Sequence, residues 1–289
     1  MTTRAQELQA RLPRQALRAD DSWWPKPAPN PFRHVVGART LPPGEWLRPR
    51  PFDAPLIAWR QALLDEQGPA AFDALPGTEP AGEVLLELLG ARNRPGRHPL
   101  DTAGRLVAED LCLVDISGGE PRLVGASLAM PNRWLLADKL GQPMIGIHVP
   151  VPGYAEQLSA AVDKFLTSLR EHRIMTRANW AITDDDRLFQ PAADSRARRA
   201  GTVTTADEAA EHLYVRVEYQ TLRLLPGCGT VLFTIRTAHE PLAALADRAR
   251  VAAGLASTIE VMPPADLDYK GVLPYRDAVL ALLRRFRDG

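Results

Sequence analysis

The stretch from Leu213 to Thr237 reads LYVRVEYQTLRLLPGCGTVLFTIRT. Two runs of extended-chain character flank Pro226-Gly-Cys-Gly229, and the first alternates strictly. A period of two sends successive side chains to opposite sides of a strand, so the stretch predicts a β-hairpin closed by a tight glycine turn. Leu213, Val215, Val217, Tyr219 and Thr221 then share one side. Tyr214, Arg216, Glu218, Gln220 and Leu222 share the other. The polar row Arg216, Glu218, Gln220 is either the wet side of a half-solvated antiparallel sheet or one wall of a pocket. Alternation alone does not decide between them.

The neighbouring segments extend the same sheet. Arg105 to Val114 and Arg122 to Met130 flank a Ser-Gly-Gly-Glu turn and read as a second hairpin, and Arg177 to Thr183 reads as a strand. Tyr154 to His172 places Leu158, Val162, Phe165, Leu166 and Leu169 on one stripe, which predicts a long helix crossing that sheet. Arg133 to Leu140 predicts a helical turn closed by Gly141, and Met144 to His148 a short extended piece stopped by Pro150 and Pro152. The expected core spans 105–240. Before it, residues 1–104 form a helical and proline-rich wrapping segment, with helices over Ala5–Arg18 (interrupted by Pro13), Leu56–Leu64 and Ala81–Arg92. Proline fixes φ and removes an N–H, so 24–55 is expected to be extended, held down by Trp23, Trp24, Phe32, Trp46 and Phe52. After the core, 241–289 packs back as C-terminal helices, expected over Glu240–Ala253 and Tyr275–Arg287. Asp184 to Asp207, with the run Arg196-Ala-Arg-Arg199, is expected to be a surface loop. The fold class is α+β in one compact unit.

Several function classes are excluded on composition and motif. The 289 residues carry 35 Lys and Arg against 35 Asp and Glu, so no basic footprint for nucleic acid exists. Two cysteines are too few for a disulfide framework, an iron–sulfur cluster or a structural zinc. No apolar run approaches a membrane span, and no signal segment follows Met1, so a soluble cytoplasmic protein is expected. No dinucleotide fingerprint, P-loop, nucleophile elbow or HExxH motif is present. Any redox chemistry therefore needs electrons from elsewhere.

Six histidines remain, at 34, 98, 148, 172, 212 and 239, and no two share chelating spacing on one helix face. A haem needs only one axial histidine. His148 lies in Ile147-His-Val-Pro-Val-Pro152, where stiff backbone and apolar neighbours suit a porphyrin ligand; the plainer reading is a hydrogen-bonded histidine at a strand end. In Arg177-Ala-Asn-Trp180, a strand puts Arg177 and Asn179 on one face and Trp180 on the other. Arginine and amide there suit a carboxylate, a propionate or dioxygen, or simply a loop entry beside a core tryptophan. Glu218 beside Arg216 is either a structural ion pair or a buried proton holder.

These residues resemble the haem-dependent oxidative N-demethylase family. The matching pieces are Glu109-Asp-Leu111, Met130-Pro-Asn-Arg-Trp134 with Lys139-Leu-Gly141, Ile147 to Pro152, Arg177 to Trp180, Arg216 to Arg223 and Leu232 to Thr237, with a weaker continuation at Met262-Pro263 and Tyr269-Lys-Gly271. They run collinearly from about 105 to 240, while the first hundred residues match loosely. The resemblance implies a PAS-like haem fold, haem b, dioxygen activation, and oxidation of a small secondary amine to a primary amine and formaldehyde. Electrons would come from NAD(P)H through a separate reductase carrying flavin and iron–sulfur centres. On that footing His148 is the expected iron ligand, with His239 and His212 left open. Arg177, Asn179, Trp180 and Arg223 are expected to hold the cofactor. Arg216, Glu218 and Gln220 are expected to be catalytic: the arginine and glutamine as donors to bound dioxygen, Glu218 as proton acceptor or holder of the ammonium. The alternatives are a PAS-like haem or gas sensor without oxygenase activity, and a relative that has lost haem and binds another small ligand.

Overall fold

In the computed structural model, which describes residues 2–191 and 201–288, seven antiparallel strands form one sheet. They are β1 (Arg39–Leu41), β2 (Phe72–Ala74), β3 (Asp110–Asp115), β4 (Arg122–Ser127), β5 (Ile174–Thr183), β6 (Tyr214–Leu224) and β7 (Thr230–Pro241), in the order β1-β5-β6-β7-β3-β4-β2. The long strands β5, β6 and β7 form its centre. Both expected hairpins are present. At the β6–β7 turn, Gly227 and Gly229 adopt φ of +72° and +60°, a region that lacks a Cβ clash only for glycine, while Leu225 N–H closes onto the Thr230 carbonyl at 2.9 Å. The edge strands β1 and β2 come from the proline-rich and helical first hundred residues, which therefore build part of the sheet as well as wrapping it.

The helices are α1 (Arg4–Ala10), α2 (Asp53–Gln67), α3 (Glu79–Leu88), α4 (Pro99–Gly104), α5 (Leu136–Lys139), α6 (Met144–Ile147), α7 (Tyr154–Gln157), α8 (Ser159–Thr167), α9 (Ala206–His212), α10 (Ala249–Val261), α11 (Pro264–Tyr269) and α12 (Arg276–Asp288). Three expectations need correction. Met144–His148 is a helical turn rather than an extended piece, because the His148 N–H reaches back to the Met144 carbonyl at 3.1 Å. The long crossing helix is two short ones, broken at Leu158 (φ −121°) and ending at Thr167. Glu240 lies in β7 opposite Val215, since the ladder with β6 runs on to Pro241, so the next helix begins only at Ala249. The 184–207 segment also ends in α9, whose start carries a capping box between Thr205 and Glu208. The run Arg196–Arg199 lies outside the described residues. Among the described residues no helix is long and apolar enough to cross a membrane.

Register divides the sheet into two faces, because residues directly opposite on antiparallel strands share a face. On the far face α10 and α12 cover Trp180, Ile182, Val215, Val217 and Ala238, and α3 and α4 cover Leu111, Leu113 and Leu232. On the near face α6 and α8 cover Val114, Leu222, Val231 and Phe233. Trp134 and α5 pack on Cys112, Ala126 and Leu128 beside them. Each fully buried aliphatic side chain contributes about 1.5–3 kcal/mol. The two apolar faces thus clamp a central strip of β5, β6 and β7 whose near-face residues are polar.

Candidate haem-binding site

That strip is the row the alternation picked out. Asn179 pairs with Glu218, Arg177 with Gln220 and Ala181 with Arg216, and β7 adds Thr237 opposite Glu218 and His239 opposite Arg216. The wet-surface reading fails: Arg216 is 1% exposed and Gln220 7%. Glu218 is half-buried. The Glu218 carboxylate is the centre of the network. Its Oε2 accepts from Gln220 Nε2 at 3.0 Å and from Asn179 Nδ2 at 3.3 Å, and its Oε1 lies 3.7 Å from Arg216 Nε. Arg216 Nη2 donates to the Met130 carbonyl. Burial lowers the pKa of both Arg177 and Arg216, partly offset by the charge of Glu218.

On the same face, just after α6, is His148, close enough to Arg177 to feel its charge. Its Nδ1 lies 2.8 Å from the Met144 carbonyl, which fixes the ring as the Nδ1–H tautomer and leaves Nε2 with a free lone pair. The ring stacks on Tyr154 at 4.4 Å and 10°. Burial pushes its pKa down to about 4, with Lys139 and Arg177 adding to the fall, so the imidazole is neutral at pH 7. A neutral ring oriented through its second nitrogen is the form that ligates a metal. Lys139 donates to the Ile147 carbonyl and holds the turn in place.

The strip has more donors and acceptors than partners. Arg177 Nε, Arg216 Nε, Thr237 Oγ1, both His239 nitrogens and Tyr154 Oη are buried without a hydrogen bond. Orphaned groups are costly, about 1–3 kcal/mol each, unless a ligand or water meets them. Ile145 and Val149, on either side of His148 in sequence, are exposed at 43% and 78%. A polar strip with open valences, a neutral imidazole with one nitrogen unengaged and unburied apolar side chains together fit an amphipathic cofactor with acidic edges, as a haem is. Among the described residues no three His, Cys, Asp or Glu side chains converge on one point.

Two expected cofactor residues fall elsewhere. Trp180 is in the far-face core, and Arg223 lies over the Trp46 ring at 4.3 Å on that same face. A strand period of two puts them on the face opposite Arg177 and Asn179, and Trp180 meets the strip's surroundings only through Lys270, whose Nζ lies 5.7 Å from its ring. His212 is at the end of α9, 3.9 Å from Glu211. Two cavities of about 180 and 770 Å³ open where residues 15–23 and 45–52 meet Arg236, and no histidine stands in either wall. Sequence reasoning missed Tyr154 and Lys270 as neighbours of the strip; the second lay in the quoted Tyr269-Lys-Gly271 piece.

His239 yields a stability prediction. Burial, then the Arg216 charge, pushes its pKa down to about 3. The unfolded ring titrates near 6.5, so the unfolded chain gains a proton that the folded one refuses. Stability is therefore full above pH 6.5 and falls as pH drops from there toward 3. His239→Phe keeps the stack on Tyr214 (5.1 Å, 4°) and should flatten that slope in urea unfolding followed from pH 7 to 4. An unchanged slope means His239 is protonated in the fold.

A model of the family described as "Haem-dependent oxidative N-demethylase, alpha subunit-like" matches residues 89–280, which contain the strip, His148 and Lys270. The chain belongs to the haem-dependent oxidative N-demethylase alpha subunit-like family.

Proposed function

We propose that the chain is a haem-dependent monooxygenase that removes an N-methyl group from a small secondary amine, with the haem between His148 and the Arg216–Glu218–Gln220 strip in a PAS-like arrangement. What supports this reading is the neutral His148, its Nδ1 committed to the Met144 carbonyl and its pKa lowered in part by the Arg177 charge, together with a buried strip of unpartnered polar atoms in a chain of this family. Haem b, when bound, supplies the one-electron and dioxygen chemistry of the reaction. The residues of the chain do the rest. His148 would hold the iron through Nε2 while the Met144 carbonyl holds Nδ1–H. Arg177 offers Nε to a propionate. Arg216, whose Nε lies 3.7 Å from Glu218 Oε1, would stabilise developing negative charge, where a preorganised donor in a dry site is most effective. Glu218 holds the substrate ammonium and accepts its proton. Electrons come from NAD(P)H through a separate flavin and iron–sulfur reductase, in keeping with the missing nucleotide fingerprint.

The deciding measurement is an absorption spectrum of the purified, haem-supplied protein, followed by a formaldehyde assay with dimethylamine, dioxygen and a reductant. No Soret band sinks the reading. A Soret band without formaldehyde for any secondary amine leaves a gas-binding protein. Glu218→Gln keeps the shape and loses the base; kcat/KM for formaldehyde release should fall at least about 100-fold, the lower range for a general base. A change under tenfold removes Glu218 from the chemistry.

A further inference from the structure

The cations around Glu218 are more numerous than its single charge requires. Arg177 and Arg216 stand on its own strips, and Lys270 reaches in from the sheet edge. Lys270 is held by its backbone. Its carbonyl accepts from Ile182 N–H at 2.8 Å, which extends the free edge of β5. Gly271 follows at φ +70°, so close that a Cβ there would sit 2.2 Å from the Ile182 oxygen. Only glycine passes that point, and the preceding side chain is thereby delivered to the strip. Lys270 Nζ donates to Asn179 Oδ1, and Asn179 Nδ2 donates to Glu218 Oε2. A lysine can only donate and a carboxylate only accept, so the amide between them has one orientation. The bridge survives loss of one lysine proton, since a neutral amine still donates.

We propose that Lys270 is a charge gate for the amine: the site takes a protonated secondary amine against Glu218 as Lys270 releases its own proton to solvent. The inference rests on the amine-oxidising reading above and names the residue that sets its pH dependence. Two carboxylates, Glu218 and Asp266, face three resident cations, and an incoming fourth adds to the excess. The two arginines cannot give up a proton, whereas a lysine can. The groups facing Lys270 are Glu218 on β6, Arg177 on β5, Asp266 on α11, and the rings of Trp180 and Tyr269 at 5.7 and 5.5 Å. Asp266 is engaged by His34 at 3.1 Å. Burial moves Lys270 down to about 8, against the pull of Glu218, which leaves it charged but easily discharged near neutrality. Linkage is reciprocal, so a bound ammonium lowers Lys270 further.

The test is calorimetry of dimethylamine binding to the haem-loaded protein in two buffers of different ionisation enthalpy, from pH 6.5 to 8.5. The wild-type protein should release about one proton per amine at pH 7, and its affinity should rise nearly tenfold from pH 6.5 to 7.5 and level only above about pH 8. Lys270→Gln keeps a donor for Asn179 without charge; it should release no proton and bind with little pH dependence. Lys270→Arg keeps the charge permanently; it should release none and bind more weakly than wild type at pH 8. Equal proton release by wild type and Lys270→Gln overturns the gate, since the amine itself is then losing the proton. Zero release by wild type overturns it too. Absence of amine binding overturns it together with the substrate assignment, while the Soret spectrum and the formaldehyde assay judge the function separately.

Discussion

Replacing His148 by alanine will abolish or shift the Soret band of the haem-loaded protein, and added imidazole will restore it. The expectation follows from the ring's geometry. Nδ1 is committed to the Met144 carbonyl and Nε2 to nothing, the ring is neutral at pH 7, and Tyr154 fixes its plane. Alanine removes the proposed ligand but leaves the turn intact, because the α6 backbone hydrogen bonds do not involve the ring. The vacated volume against Tyr154 is the shape of an imidazole. Controls come from the same fold. His212→Ala, at the end of α9, will leave the spectrum untouched. His239→Ala lies behind Arg216 and will change the environment of the strip without removing a ligand. An unchanged band in His148→Ala, with loss in His239→Ala, would move the iron to the other end of the strip. Loss of a group that only hydrogen-bonds a metal ligand weakens metal binding by about 10–100-fold, while loss of the ligand itself does more. Titration with haem therefore distinguishes the two.

How far the sequence carried this is seen residue by residue. The β6–β7 hairpin was legible because a period of two over eleven residues has no competing helical reading, and because two glycines marked the turn. The polar row was legible as a row but not as a wall. Whether Arg216 faces water or a pocket depends on what covers it, and the cover (Met130, Leu188, the α6 turn) comes from distant segments. The α6 turn is not legible, since the six residues between Pro143 and Pro150 suit extended and helical chains alike. Trp180 and Arg223 were assigned to the site by adjacency in a motif, although the strand period already placed them on the other face. Lys270 was hidden by distance: 91 residues separate it from Asn179, and only the Gly271 approach to Ile182 brings the two together. Local periodicity predicts faces; it does not predict which remote segment lands on them.

The same remoteness makes Asp110 the residue whose loss should cost the fold most. Asp110 and Arg60 are 1% and 0% exposed and form an ion pair between β3 and α2. Asp110 also accepts the Ala129 and Met130 N–H groups at 2.7 and 3.0 Å, while Arg60 donates to the Gly104 carbonyl at 3.0 Å and to the Ser127 carbonyl at 3.1 Å. The Met130 carbonyl then takes Arg216. One carboxylate thus ties α2 and the chain after β4 to the strip on the same face as His148. Asp110→Ala leaves a buried guanidinium without its counter-charge and two amides without an acceptor, and removal of one partner of such a pair costs about 3–5 kcal/mol. Against a typical total of about 5–15 kcal/mol, urea unfolding should move to a much lower midpoint, with haem retention falling alongside. Arg60→Met should cost a similar amount for the opposite reason, an uncompensated carboxylate. The double variant Arg60→Met, Asp110→Leu leaves neither charge, only the Ala129 and Met130 amides and the Gly104 and Ser127 carbonyls short of a partner. It should therefore unfold at a higher urea concentration than the sum of the single losses allows. Strict additivity of the three measurements would mean that the two charges do not depend on each other, and that the strip is positioned by apolar packing alone.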